Sequence, residues 1–253
     1  MSWELILVMR RKRFLFWIML LCFCFVLQGC FGVSKNNNKL IMVTNAEFPP
    51  YEFKDENEFK GIDVEIAKLI AEKMGKELEI LDVEFDSIIP AIVSNKADIA
   101  LAALTVTEDR KENVNFSDSY FETSQNILVR YGSGISKVAD LEGKKIGVQT
   151  GNIADINYTE EFGEENIDRF NKHVDAVEAL KNKKIDAVVL DHEPAKFFAS
   201  ENNEIVMLNN VCKGEEYAIA INKYNKDLLD EINNILSEIK SNGELDKIVK
   251  KYI

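Results

Sequence analysis

The chain has 253 residues, with 43 acidic against 31 basic side chains, a formal charge of −12 and a 46% hydrophobic share. That charge balance argues against a nucleic-acid partner, which needs a basic footprint. The two histidines, His173 and His192, lie in no HExxH-type or cysteine-paired spacing, so no metal site and no cofactor are expected.

In chain order, Arg10, Arg11, Lys12 and Arg13 precede an uncharged apolar run, Phe14 to Leu27, and LQGC follows at Leu27–Cys30. The run is 14 residues long, below the roughly 18 that span a membrane. A basic patch and short apolar core describe a secretory signal over residues 1–29. LQGC resembles the bacterial lipobox, which would make Cys30 the lipidated first residue of the mature chain. The alternative is a retained membrane anchor, and Met9 is an alternative start to Met1. Without residues 1–29 the chain keeps 27 basic and 42 acidic residues, a charge of −15. Cys22 and Cys24 leave with the signal and Cys30 carries lipid, so Cys212 stands alone and no disulfide framework is expected. Residues 30–39, with SKNNNK at Ser34–Lys39, read as a polar tether.

The body alternates between strand and helix patterns. LIMVT (Leu40–Thr44) is a short apolar strand. In GIDVEIAKLIAEKMGK, Ile62, Ile66, Leu69, Ile70 and Met74 share a helical face, with Gly75 as a stop. LEILDVEF (Leu78–Phe85) reads as a strand, IIPAIVSN as a helix and DIALAAL as a third strand. The pattern then restarts: KKIGVQ (Lys144–Gln149) is a strand, DAVEALKNKK (Asp175–Lys184) a helix and IDAVVL (Ile185–Leu190) a strand. EYAIAI (Glu216–Ile221) suits a crossing strand, and the last segment carries Leu229, Ile232, Ile235 and Ile239 at helical spacing. Such patterning predicts two α/β lobes, each a mainly parallel sheet flanked by helices, with a cleft outside the carboxyl ends of the strands.

Chemistry-bearing residues gather at those predicted ends. After ADIALAAL come Thr105, Thr107 and Arg110. Thr107 can cap a helix starting at Glu108, whose free N–H groups favour an anion, and Arg110 offers a fork for a carboxylate. A cap with a surface salt bridge explains the same spacing. AEFPPYEF (Ala46–Phe53) puts Phe48 on a proline-stiffened loop, and Phe85 closes the second strand; both are also candidates for core. VQTGN (Val148–Asn152) ends a strand with a glycine, and LDHEP (Leu190–Pro194) places Asp191 after an apolar run, as an acid for a ligand or as a helix cap. Aromatic faces, an arginine and an acid together suit a zwitterion.

In their order, AEFPPYEF, GIDVEIAK, FDSIIPAI, ADIALAALTVTEDR, VNFSDSYF, DLEGKKIGVQTGN and IDAVVLDHEP closely resemble the extracytoplasmic solute-binding proteins of polar amino acid ABC transporters, solute-binding family 3, over Leu40–Ile253. The resemblance implies the type II periplasmic-binding fold: lobe 1 from residues 40–125 and 220–253, lobe 2 from 126–219, and two crossing strands as hinge. It implies an aromatic clamp at Phe48 and Phe85. An α-carboxylate site falls on Arg110, Thr107 and the backbone of Asn152 and Ile153. An α-ammonium site falls on the Ala103 carbonyl, Thr105 and Asp191, and a side-chain pocket on Asn45, Glu47 and Gln149. Ala103 stands where glycine or serine is common, and Asn152 where threonine or serine is. Asn45 replaces an aspartate found in several binders of cationic amino acids.

The resemblance further implies a monomer that delivers an amino acid to a membrane permease, held at the membrane by lipid on Cys30. The rival is an enzyme resembling periplasmic cyclohexadienyl dehydratases, for which Glu47 or Asp191 would be the acid; the two flanking aromatics leave little room for proton transfer.

Overall fold

The computed structural model describes residues 38–208 and 214–253. The signal segment, Cys30, most of the tether and Cys212 lie outside the described residues. β1 (Lys39–Thr44) begins on the last residue assigned to the tether. Its second half is buried on both faces, as a strand inside a helix-covered parallel sheet must be. A small antiparallel ribbon follows: β2 (Glu47–Phe48), β3 (Glu52–Asp55) and β4 (Glu58–Lys60).

Helix α1 (Ile62–Lys73) starts against that ribbon. Its preceding residue, Gly61, has φ +120, and a Cβ there would sit 2.1 Å from the Tyr51 carbonyl oxygen. Only glycine permits so close an approach. The Asp63 N–H donates to that same carbonyl at 2.9 Å, which seats the first turn of α1. β5 (Glu77–Asp82), α2 (Ile88–Val93), β6 (Ile99–Ala100), α3 (Glu108–Lys111) and β7 (Val114–Phe116) complete the first run.

The chain then crosses on β8 (Phe121–Arg130) into a second sheet. That half contains β9 (Ile146–Gln149), α4 (Ile153–Phe162), β10 (Ile167–Phe170), α5 (His173–Lys181), β11 (Ala187–Asp191), α6 (His192–Ser200) and β12 (Ile205–Met207). It returns through β13 (Gly214–Tyr217) to β14 (Ala220–Asn222), α7 (Lys226–Ser241) and α8 (Glu244–Tyr252).

The first sheet runs β5-β1-β6-β14-β7 and the second β10-β9-β11-β8-β12. β1 is parallel to β5 and β6, and β9 to β10 and β11. In each sheet one strand runs against its neighbours, β14 in the first and β8 in the second. β8 is the strand that crosses and β14 the one that follows the return, and they are the one departure from parallel order in each sheet. Both sheets bury apolar residues on both faces. In the first lobe α1, α7 and α8 cover one face and α2 the other. In the second, α4 covers one face while α5 and α6 cover the other. The fold is thus α/β with two lobes, as the sequence predicts.

Several predicted boundaries shift. Phe85 does not close a strand: β5 stops at Asp82 and Phe85 opens a single 3-10 turn, Phe85–Ser87. DIALAAL keeps strand pairing only at Ile99–Ala100, because Ala103 turns into the left-handed region at φ +46. EYAIAI divides at residues 218–219, β13 pairing with β8 and β14 with the first sheet. The C-terminal helical pattern breaks at Gly243, φ +78, into α7 and α8. On α7 it is Leu228 rather than Leu229 that is buried, with Ile232, Ile235, Leu236 and Ile239.

Candidate ligand-binding site

The expected site residues, apart from Glu47 and Thr107, line a single cavity between the lobes. Glu52, Ala102 and His173 line it as well. From the first lobe come Asn45, Phe48, Phe85, Ala103, Thr105 and Arg110; from the second come Gln149, Asn152, Ile153 and Asp191.

Arg110 is placed by the shortest helix of the fold. Thr107 caps α3, its Oγ1 accepting the Arg110 N–H at 3.2 Å. The guanidinium turns back, donating to the Thr105 carbonyl at 2.7 Å and to the Gly151 carbonyl of the second lobe at 3.2 Å. The Phe85 ring lies beneath it, 5.5 Å from Cζ to the centroid, a cation–π arrangement. Arg110 is only 7% exposed, and burial lowers its pKa to about 10, so it stays charged at neutral pH. None of the ion pairs among the described residues uses it. A buried cation whose hydrogen bonds go to carbonyl oxygens and not to a carboxylate is poised for an anion. It is therefore no surface salt bridge.

The opposite charge is gathered nearby. Asp191 precedes α6 but its side chain does not cap that helix; the Tyr217 hydroxyl donates to it instead. Burial, and next the charge of Glu215, raise Asp191 to about 7, against the pull of Tyr217 and Arg110. The Thr105 hydroxyl donates to Glu215 at 2.9 Å, and burial raises that carboxyl too. Glu215 was not a sequence candidate. It stands one residue before the predicted crossing strand, in β13, which the bridge between Thr105 and Tyr217 ties to the first lobe.

The unusual backbone of Ala103 has a visible support. Its N–H donates to Asp63 Oδ2 at 2.8 Å, and the Tyr120 hydroxyl donates to the same oxygen at 2.8 Å. Asp63 is fully buried on the first turn of α1, and burial raises it to about 7. Glu52 lies against it, pushed well above the usual carboxyl range by burial and then by the charge of Asp63. A left-handed alanine costs about 1–2 kcal/mol, which the Asp63 bond offsets. Asp63 falls on the expected helix within the arc of Ile66, Ile70 and Met74 and is buried with the first two, but an acidic residue type there gives no sign of its buried partners.

On the second lobe, Asn152 caps α4, its Oδ1 accepting the Asp155 N–H at 2.8 Å. The Asn152 N–H is already committed to the Gln149 carbonyl at 3.2 Å. Ile153 opens α4, so its N–H belongs to the helix's first-turn donors. Gly151 adopts φ +75 where a Cβ would meet Asp86 at 3.4 Å.

The predicted side-chain pocket forms one network across the lobes. Gln149 Nε2 donates to Asn45 Oδ1 at 2.8 Å, Glu47 Oε1 at 3.1 Å and the Asn171 carbonyl at 3.1 Å. Asn45 donates in turn to the Val83 carbonyl at 2.8 Å. Burial raises Glu47 to about 7, partly opposed by Lys172, whose ammonium is 4.0 Å away. Phe48 does not face Phe85 as an open clamp. It stacks on His173 of the second lobe, with centroids 4.6 Å apart.

Two α/β lobes around a cleft that holds a buried cation, buried acids and aromatic walls define a solute-binding protein. Residues 40–253 match the family described as bacterial extracellular solute-binding proteins, family 3, and the chain belongs to it. The arginine-binding extracellular protein ArtP of Bacillus subtilis (strain 168) is 36% identical over 251 residues, covering 95% of this chain and 98% of that protein. Among solved structures, holo ArgBP from T. maritima is 41% identical with a TM-score of 0.77, covering 80% of this chain and 91% of that one. An ancestral arginine-binding protein bound to glutamine is 38% identical with a TM-score of 0.81, covering 87% and 99%.

Proposed function

We propose that this protein captures a polar L-amino acid in the cleft and delivers it to the membrane permease of an ABC importer. The observation that carries the reading is Arg110, a buried cation that forms no ion pair among the described residues, in one cavity with the buried acid Asp191. One zwitterion answers both. Its α-carboxylate pairs with Arg110, which the Thr107 cap positions, and with the Ile153 N–H. Its α-ammonium pairs with Asp191, the Thr105 hydroxyl and the Ala103 carbonyl. Asn45 and Gln149 give the side-chain end a polar lining, and Glu47 Oε2 beside them accepts no hydrogen bond and would stay unanswered by an aliphatic ligand. The relatives named for arginine and the ancestral protein bound to glutamine support a cationic or amide-bearing side chain. They are binding proteins, which supports a binder over an enzyme.

The protein acts as a monomer outside the cytoplasmic membrane, with lipid on Cys30 holding it there. Residues 40–125 with 220–253, and residues 126–219, move as the two lobes. A thermal-shift screen against the twenty amino acids tests the reading, because a ligand that binds only the folded state raises its stability by RT ln(1 + [L]/Kd). Polar amino acids should give the largest shifts. A largest shift with leucine or valine would show the pocket assignment to be wrong.

A further inference from the structure

One polar side chain in the cleft has no role in the recognition of the α-groups. His173 is the first residue of α5, 2% exposed, and lines the cavity. Neither of its ring nitrogens has a hydrogen-bond partner. Buried polar atoms in folded proteins are ordinarily satisfied, and an orphan calls for an explanation.

The ring is held neutral by burial, which lowers its pKa to about 3, and the N-terminal end of a helix disfavours a cation in the same way. A neutral imidazole offers one N–H and one lone pair, both in the ring plane. Stacking on Phe48 covers a ring face, and both ring nitrogens are buried in a residue that lines the cavity. Beside it, Glu47 Oε2 also accepts no hydrogen bond, although Lys172 stands 4.0 Å off. Asn45 Oδ1 and Glu47 Oε1 are already taken by Gln149. The atoms left unfilled at this end are thus mostly acceptors, and the group that completes them is a donor.

We propose that His173 is a specificity-determining residue: its imidazole pairs with the N–H groups ending the side chain of the bound amino acid, a guanidinium or a carboxamide. The inference rests on the cleft being an amino-acid site. It makes Phe48 a backing for His173 as well as a wall for the ligand.

Calorimetry on the full chain, wild type and His173→Phe, with L-arginine, L-glutamine and L-norvaline tests it. H173F keeps a ring on Phe48 and removes both nitrogens; His173→Leu serves where H173F does not fold. The tighter of arginine and glutamine should lose at least about tenfold, and norvaline, whose only polar groups are the α-groups, less than about threefold. Loss confined to arginine assigns the guanidinium, and loss confined to glutamine the carboxamide. His173→Asn, which keeps a donor and an acceptor, should recover part of the loss. Equal losses for all three ligands, or none for arginine and glutamine, would reduce His173 to a packing residue. Wild-type protein that binds neither arginine nor glutamine but binds another amino acid also overturns the proposal. Wild-type protein that binds no amino acid overturns the reading of the cleft itself.

Discussion

Arg110 of the first lobe donates to the Gly151 carbonyl of the second at 3.2 Å, while the same guanidinium donates to Thr105 and rests on Phe85. One buried cation therefore touches both lobes and the aromatic wall. Its removal would take away a contact between the lobes and the positive charge of the cleft together.

Arg110→Ala should weaken ligand binding by at least about a hundredfold. Hydrogen bonds to a charged group contribute about 1.5–3 kcal/mol each, and about 1.4 kcal/mol is a factor of ten. Calorimetry reads this directly. A loss below about fivefold would return Arg110 to a structural role.

Asp191 should couple the ammonium to closure. A ligand shifts a conformational equilibrium only by its differential affinity for the two states. The deaminated analogue of the bound amino acid should bind at least about tenfold more weakly and should fail to compact the protein, since Asp191 then lacks its cation. Asp191→Asn should keep some binding and lose much of the closure. Small-angle scattering in which the analogue compacts the wild type as fully as the amino acid does would refute the zwitterion scheme.

Without ligand, the protein should become more stable as pH falls from about 8 to about 5. Glu47, Asp63 and Asp191 are each raised to about 7 in the fold, against about 4 when unfolded. The folded state therefore binds more protons between those values. The stability these groups contribute is fully present below about pH 4 and is lost as pH rises through about 7. Calorimetric melting at pH 5.5 and pH 8 checks the sign, and a lower Tm at pH 5.5 contradicts it.

Asp63→Ala should destabilise the protein and disturb the cleft together. It leaves the Ala103 N–H and Tyr120 hydroxyl without their acceptor, at about 1–3 kcal/mol each. For a chain of this size about 1 kcal/mol moves Tm by roughly 2–4 °C. Asp63→Asn keeps an acceptor oxygen and should lose less. Equal Tm values for wild type and D63A would refute the support assigned to Asp63.

Cys30→Ser should leave the precursor uncleaved or release the protein from membranes. Fractionation with gel analysis of processing tests this. Unchanged membrane retention with normal processing would remove Cys30 from the anchoring scheme.

The order of strands and helices was legible because apolar runs and their periods survive in the sequence, and so were Thr107 as a cap and Arg110 behind it. Asp63, Glu52 and Glu215 were not. They are charged residues whose burial depends on partners far along the chain, Ala103 and Tyr120 for Asp63 and Thr105 for Glu215. His173 was hidden for a different reason: it lies at a helix start, where a polar residue needs no explanation until the facing lobe is in view. The left-handed turn at Ala103 interrupts an apolar stretch that reads as uninterrupted strand, since alanine carries no signal for that conformation.

β14 lies between β6 and β7, far behind both along the chain. During translation β7 must wait for the whole second lobe to be made before its neighbour exists. The helices α7 and α8, which cover one face of that sheet, come later still. The lobe begun first is thus finished last, and a single cut at the crossing cannot free it as one piece.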